Sequence, residues 1–156
     1  MKLKSIFIRI LICTSVTAII MGIGLPLSAK TATFKAQKNA QDADYWFDKG
    51  ALCATYGNDR AAIKYFQKAI SLDPNHSRAY FERGISHGQL GEFRKALVLI
   101  NRALEMEPQN GLYFYGRGRV YLLAGEEKKA MEDFKKAADL DDEDAQNYLE
   151  LIGQTK

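Results

Sequence analysis

The chain has 156 residues, of which 47% are apolar and 26% charged, a composition typical of one folded domain of ordinary size. Its formal charge of +3 arises at the N-terminus, because three of the 22 basic residues precede residue 10 and the rest of the chain has 19 basic and 19 acidic residues. A neutral body without a basic stripe lacks the charge that neutralises phosphates, so we expect no nucleic-acid partner.

The cysteines and histidines predict neither a disulfide nor a metal site. Cys13 lies in an N-terminal apolar stretch, which leaves Cys53 without a second cysteine downstream. His76 and His87 have no set of cysteines or carboxylates at ligand spacing. The sequence also contains no recognisable pairing of nucleophile and base and no phosphate-binding loop. We therefore expect no cofactor and no catalytic residues, that is, a protein that is not an enzyme.

Residues 1–29 have the layout of a secretory signal peptide. Lys2, Lys4 and Arg9 precede an uncharged stretch, residues 10–29, that is rich in Ile, Leu, Val and Ala. A proline and small residues end this stretch, which predicts cleavage after Ala29, with Ala32 as the second candidate.

The alternative is an uncleaved membrane anchor. An uncharged helix over residues 10–29 would span about 30 Å, enough to cross the hydrocarbon core. In both cases the basic residues remain in the cytoplasm, which predicts that the remainder of the chain is exported, periplasmic or extracellular. Residues 30–42 are polar and predict a linker.

From residue 43 the sequence repeats itself at one fixed interval, which is the separation in sequence between Trp46 and Tyr80. Large, glycine, alanine and proline positions all share this interval, and so many columns with one period predict an array of helical repeats. The columns are Trp46, Tyr80, Phe114 and Tyr148; Gly50, Gly84 and Gly118; Gly57, Gly91 and Gly125; Ala62, Ala96 and Ala130; Phe66, Ile100 and Phe134; Ala69, Ala103 and Ala137; Leu72, Met106 and Leu140; and Pro74 and Pro108.

Each unit reads as two helices joined by a turn. Trp46, Gly50 and Cys53 are spaced as one helix face, and Asn58 follows Gly57 as the N-cap of a second helix that ends before Pro74. The spacing predicts helices over 43–56 and 59–72, 77–90 and 93–106, 111–124 and 127–140, and a shorter last helix over 144–153. We expect Gly50 and its equivalents to allow close approach of the paired helix at Ala62 and its equivalents, since a helical glycine otherwise costs about 1 kcal/mol. Trp46, Phe66 and their equivalents are expected to fill the space between successive units.

These columns resemble the tetratricopeptide repeat family over residues 43 to about 144, with aromatic, glycine, alanine and proline positions matched in each unit apart from the third proline, where Asp142 stands. The resemblance implies an all-α, right-handed solenoid. Its predicted divisions are repeat 1 at 43–76, repeat 2 at 77–110, repeat 3 at 111–144, and a capping helix and tail at 145–156.

The resemblance further implies a concave groove, lined by the first helix of each repeat, in which a protein or peptide partner binds. The residues predicted to line this groove are Phe47, Arg78, Phe81, Ile85, Leu112, Tyr115 and Arg119. A second interpretation is that the three aromatic rings among them pack against neighbouring units. Some family members clamp a partner's terminal carboxylate with lysines and asparagines; the matching places here hold Phe47, Ala51, Glu82, Leu112 and Gly116, so no such clamp is expected.

Val98 and Leu99 are candidates for an outer contact. They are apolar where the first repeat has Lys64 and Tyr65, and the third repeat has two acidic residues. Either they mark a contact such as a homodimer interface, or they are a tolerated exposed pair. The sequence thus predicts an exported adaptor or assembly factor. The alternatives are a self-associating scaffold and an accessory subunit of an envelope enzyme or secretion complex.

Overall fold

The computed structural model describes residues 42–153, and the predicted signal peptide or anchor and nearly all of the predicted linker lie outside this range. Seven α-helices make up the described part. They are α1 (Ala43–Thr55), α2 (Asp59–Leu72), α3 (Ser77–Gln89), α4 (Phe93–Met106), α5 (Gly111–Leu123), α6 (Glu127–Asp139) and α7 (Glu143–Leu151). Consecutive helices pack as helix-turn-helix pairs, α1 with α2, α3 with α4 and α5 with α6, and α7 packs on α6. The prediction of an all-α solenoid is confirmed. No helix within residues 42–153 is both long enough and apolar enough to span a bilayer.

Local signals in the sequence explain where these helices begin. The side chains of Asp42, Asn58, Asn110 and Asp142 each accept a hydrogen bond from a backbone N–H of the first turn, which satisfies a donor that the helix leaves open. His76 does the same for α3 through its Nδ1, 3.2 Å from the backbone nitrogen of Ala79.

Glycine without a side chain sets the distance between the two helices of each repeat. A β-carbon added to Gly50 would lie 2.6 Å from the Phe66 ring, and one added to Gly118 would lie 2.7 Å from the Phe134 ring. The nearest atoms to Gly50 and Gly118 therefore belong to the phenylalanine ring of the paired helix and not to its alanine. Phe66 and Phe134 thus fill space inside their own repeat, whereas the sequence predicted that they fill the space between successive units.

The last helix departs from the repeat. Helices α1, α3 and α5 begin at Ala43, Ser77 and Gly111, one repeat interval apart, whereas α7 begins at Glu143, before that interval is complete and one position before the predicted start. The reason is local: α6 has 13 residues where α2 and α4 have 14, and three residues, instead of four, lead to the next helix. Asp141 closes this shorter turn with a φ of 62°. Tyr148 nevertheless lies against Phe134, with the ring centroids 4.6 Å apart.

Candidate functional site

The first helices of the second and third repeats present matching rows of side chains. On α3 the row is Arg78, Glu82, Ile85 and Gln89, spaced at four, three and four residues as one face of a helix requires. The equivalent row on α5, one repeat interval further along the chain, is Leu112, Gly116, Arg119 and Leu123.

A small, open surface pocket lies between these two rows. Ile85, Gly88 and Gln89 of α3 line one side, and Arg119, Val120 and Leu123 of α5 line the other. A β-carbon added to Gly88 would lie 3.0 Å from the side chain of Val120, so the small residue keeps the two helices close beneath the pocket. Two of the predicted site residues, Ile85 and Arg119, thus meet in one pocket.

Two of the three predicted aromatic residues are packed inside the array. Phe47 is 7% exposed and stacks on His76, with ring centroids 5.0 Å apart. Phe81 is 4% exposed and stacks on Tyr113 at 4.6 Å. At these two positions the structure agrees with the second interpretation, that the rings pack against neighbouring units, and not with their lining an open groove.

The remaining predicted residues, Arg78, Leu112 and Tyr115, do not line the pocket. Tyr115 is half-buried beside Phe134, and burial raises the pKa of its phenol, an effect that nearby Arg119 opposes. Leu112 is 44% exposed. The guanidinium of Arg119 lies 5.9 Å from the Tyr115 ring centroid, and that of Arg78 lies 5.0 Å from the Phe47 ring centroid. Both cations therefore lie over aromatic faces, a favourable arrangement that also orients them.

Glu82 carries a half-buried carboxylate next to the pocket. It makes no hydrogen bond or ion pair with any residue from 42 to 153, and burial raises the pKa of its carboxyl group while Arg78 lowers it. An unpaired, partly desolvated carboxylate is an acceptor open to a donor from a bound molecule.

Sequence reasoning missed Gln89 and Leu123 as pocket residues. Leu123 is 57% exposed although it is apolar and lies in a well-formed helix. The signal was present: each residue is four positions beyond a predicted site residue, Ile85 or Arg119, and the two occupy the same place in consecutive repeats. Extending the face by one more turn would have found them.

At the candidate outer contact, Val98 is 69% exposed and Leu99 is half-buried. Within residues 42–153 no group of three or more His, Cys, Asp or Glu side chains is arranged to hold a metal ion. Cys53 is a free, half-buried cysteine.

Two family models match the chain, both described as tetratricopeptide repeat: one over residues 43–76 and one over residues 81–145. The chain therefore belongs to the tetratricopeptide repeat family, whose domains are generally protein-interaction modules without catalytic activity. A comparison with curated proteins gave no match.

Several solved structures resemble the fold. YrrB, described as a TPR protein with an unusual peptide-binding site, is 26% identical over 67% of this chain and 54% of its own, with a TM-score of 0.61. MamA from Desulfovibrio magneticus RS-1 is 26% identical over 65% of this chain and 57% of its own, with a TM-score of 0.59. The first TPR of Spaghetti, solved with the HSP90 peptide SRMEEVD, is 22% identical over 74% of this chain and 93% of its own, with a TM-score of 0.65. The chain thus matches little more than half the length of YrrB and of MamA.

Proposed function

We propose that the protein is an exported adaptor that binds a segment of another polypeptide in the groove formed by α1, α3 and α5. The observation that carries this proposal is the open pocket between Ile85 on α3 and Leu123 on α5, in a fold whose neighbours include a peptide-binding protein, YrrB. Exposed leucines adjoin the pocket, since Leu122 and Leu123 are 38% and 57% exposed. Exposed apolar side chains beside a pocket favour an interaction site.

The side chains around the pocket indicate the chemistry of the bound segment. Ile85 and Leu123 offer an apolar side chain of the segment a surface to pack on, and Arg119 can donate hydrogen bonds to backbone carbonyls beside it. Glu82 is free to accept from a backbone N–H or a basic side chain of the segment. The places used for a terminal-carboxylate clamp hold Phe47, Glu82 and Gly116, among others, and none of these three can bind a carboxylate. An internal segment therefore fits the groove better than a chain terminus.

Site-specific photo-crosslinking tests the groove. The photoreactive residue replaces Leu123, which is exposed, rather than Tyr115, whose ring packs on Phe134. Leu151, 84% exposed at the end of α7, is the matched control position. We expect a discrete adduct with another protein from position 123 in cells of the native host, and its loss when Ile85→Asp is added. Equal adducts from positions 123 and 151 would show non-specific capture and contradict the groove assignment.

The proposal of export rests on the sequence of residues 1–29, which lie outside the described residues. A fusion of residues 1–42 to alkaline phosphatase, which is active only after export, tests this part of the proposal. We expect activity, and its loss in the variant Ile12→Lys, because a charge in the apolar stretch removes the signal. Intact mass of the exported protein distinguishes cleavage after Ala29 from retention as an anchor. An inactive fusion with a normal expression level would refute export.

A further inference from the structure

Each repeat has a cationic residue on its first helix. The residue found at the same separation further along the chain, on the second helix, is its candidate partner. The pairs are Lys49 with Tyr65, Arg83 with Leu99, and Arg117 with Asp133. In the third repeat the pair is an ion pair with two hydrogen bonds: Arg117 Nε and Nη2 each donate to one carboxylate oxygen of Asp133 at 2.7 Å. Arg117 Nη1 donates to Asn101 at 2.7 Å. In the first repeat the Lys49 ammonium lies 4.9 Å from the ring centroid of Tyr45, 5.4 Å from that of Trp46 and 5.8 Å from that of Tyr65.

The second repeat lacks this partner. Leu99 stands where the third repeat has Asp133, and Arg83 makes no hydrogen bond or ion pair with any described residue. Its Nε is buried and has no partner, whereas its two Nη groups are not among the buried atoms. Burial lowers the pKa of the guanidinium. Arg83 is therefore a partly desolvated cation: its buried Nε without a partner costs free energy, and its Nη edge is open to an acceptor.

The surroundings of Arg83 favour an anionic and partly apolar ligand. Of the three exposed cations of α4, Lys95 and Arg102 pair with Glu92 and Glu105, and Arg94 forms no ion pair with any described residue. Val98 is exposed on the same helix at 69%. Arg83 is separate from the groove, because two residues along a helix turn through about 200° and Ile85 therefore faces the other way.

We propose that this outer face of the second repeat, formed by Arg83, Val98 and Leu99, binds a partner polypeptide that presents a side-chain carboxylate beside an apolar side chain. The carboxylate accepts hydrogen bonds from the two Nη groups of Arg83. It thus supplies a counter-charge from another molecule, as Asp133 does for Arg117 within the chain through Nε and Nη2. Arginine is suited to this role because its planar guanidinium matches a carboxylate with two parallel hydrogen bonds. The apolar side chain covers Val98.

A substitution within the full chain tests whether Arg83 lacks a partner because Leu99 stands where the third repeat has a carboxylate. Leu99→Asp places a carboxylate at the position equivalent to Asp133, and Leu99→Asn is its uncharged control of the same shape. We expect the Asp variant to melt at least about 4 °C above the Asn variant and to shift the Nε–Hε NMR signal of Arg83. Equal melting temperatures with an unshifted signal would overturn the proposal, because Arg83 would then not be placed like Arg117.

Two capped dipeptides test the ligand, N-acetyl-Leu-Asp-amide and N-acetyl-Leu-Asn-amide, followed by NMR at Arg83 Nε–Hε and the Val98 methyl groups. We expect saturable shifts with the first dipeptide, binding at least about tenfold weaker with the second, and no shifts in Leu99→Asp, whose own carboxylate occupies Arg83. Equal effects of both dipeptides, or an equal effect of acetate alone, would overturn the proposal. A concentration-dependent dimer that Leu99→Asp abolishes would also overturn it, since the occupant would then be a second copy of the chain.

Discussion

Gly116 lies so close to Phe81 that a β-carbon added to it would be 2.4 Å from Cε2 of the ring. The two residues belong to α5 and α3, the first helices of consecutive repeats. The same ring stacks on Tyr113 of α5, at 4.6 Å between centroids. The missing side chain at position 116 therefore fixes how closely the second and third repeats approach, and with it the width of the pocket between Ile85 and Arg119.

Gly116→Ala should destabilise the protein by about 1–3 kcal/mol, because the added methyl group forces the ring of Phe81 to move in a packed interior. This exceeds the gain of up to about 1 kcal/mol that alanine brings to a helix. Denaturant unfolding of the full chain measures the difference. Adding Phe81→Leu should offset part of the loss, and a double variant no more stable than Gly116→Ala would show that the ring is not the obstacle.

Asp133→Leu should cost about 3 kcal/mol of unfolding free energy, since it leaves the Arg117 guanidinium buried without its carboxylate. The side chains of Arg117 and Asp133 are 21% and 8% exposed. The exposed pair of Arg102 and Glu105, at 50% and 65%, is the control. Glu105→Leu should change stability by less than about 1 kcal/mol. Similar losses for the two substitutions would contradict this account of Arg117.

Glu107 should make the protein less stable in acid. Hydrogen bonds from Ser77, and then from Asn110, hold the pKa of its carboxyl group below the usual value. A lowered folded-state pKa contributes stability that is present above the unfolded value of about 4.3 and is lost as the pH falls through the folded value. Melting temperatures measured between pH 7 and pH 3 should therefore fall less steeply for Glu107→Gln than for the wild type. Parallel curves would show that Glu107 does not contribute to the acid sensitivity.

Glu82 should have the opposite effect on the pH dependence of stability, making the protein less stable at neutral pH. Burial raises the pKa of its carboxyl group, so the folded state binds the proton more tightly than the unfolded state. Its contribution to stability is therefore fully present below about pH 4.3 and is lost as the pH rises through the folded pKa. We expect Glu82→Gln to melt at a higher temperature than the wild type at pH 7, and the difference to disappear near pH 4. A wild type more stable than the variant at pH 7 would mean that Glu82 already has a partner.

The sequence predicted the fold well because the repeat is encoded locally. Asn58, for example, was expected to cap α2, and its Oδ1 accepts a hydrogen bond from the backbone of Ala61 at 3.2 Å. Every predicted helix of the three repeats agrees with the structure to within one residue. Only α7 departs from the period, because its start depends on a turn closed by Asp141, and no repeated column describes that turn.

The candidate site could be predicted only in part. Ile85 and Arg119 lie in one pocket because the helix period and the repeat interval together place them there. The burial of Phe47 and Phe81 depends on side chains from elsewhere in the chain, His76 and Tyr113, which spacing alone does not bring together. The missing partner of Arg83 likewise emerges only when the Arg117–Asp133 contact in the next repeat is seen in three dimensions.

The three turns inside the repeats have a consequence for the handedness of the amino acids they can hold. Gly57, Gly91 and Gly125 have φ values of 72°, 75° and 77°, and nothing lies within 4 Å of where a β-carbon would be built on them. An L residue is strained at such angles, whereas a D residue adopts them naturally. D-alanine introduced at any of these positions by chemical ligation would fit the open space and restrict the unfolded chain, which should stabilise the protein by about 0.4–1 kcal/mol. At these three turns, a mirror-image amino acid would suit the fold better than any natural chiral one.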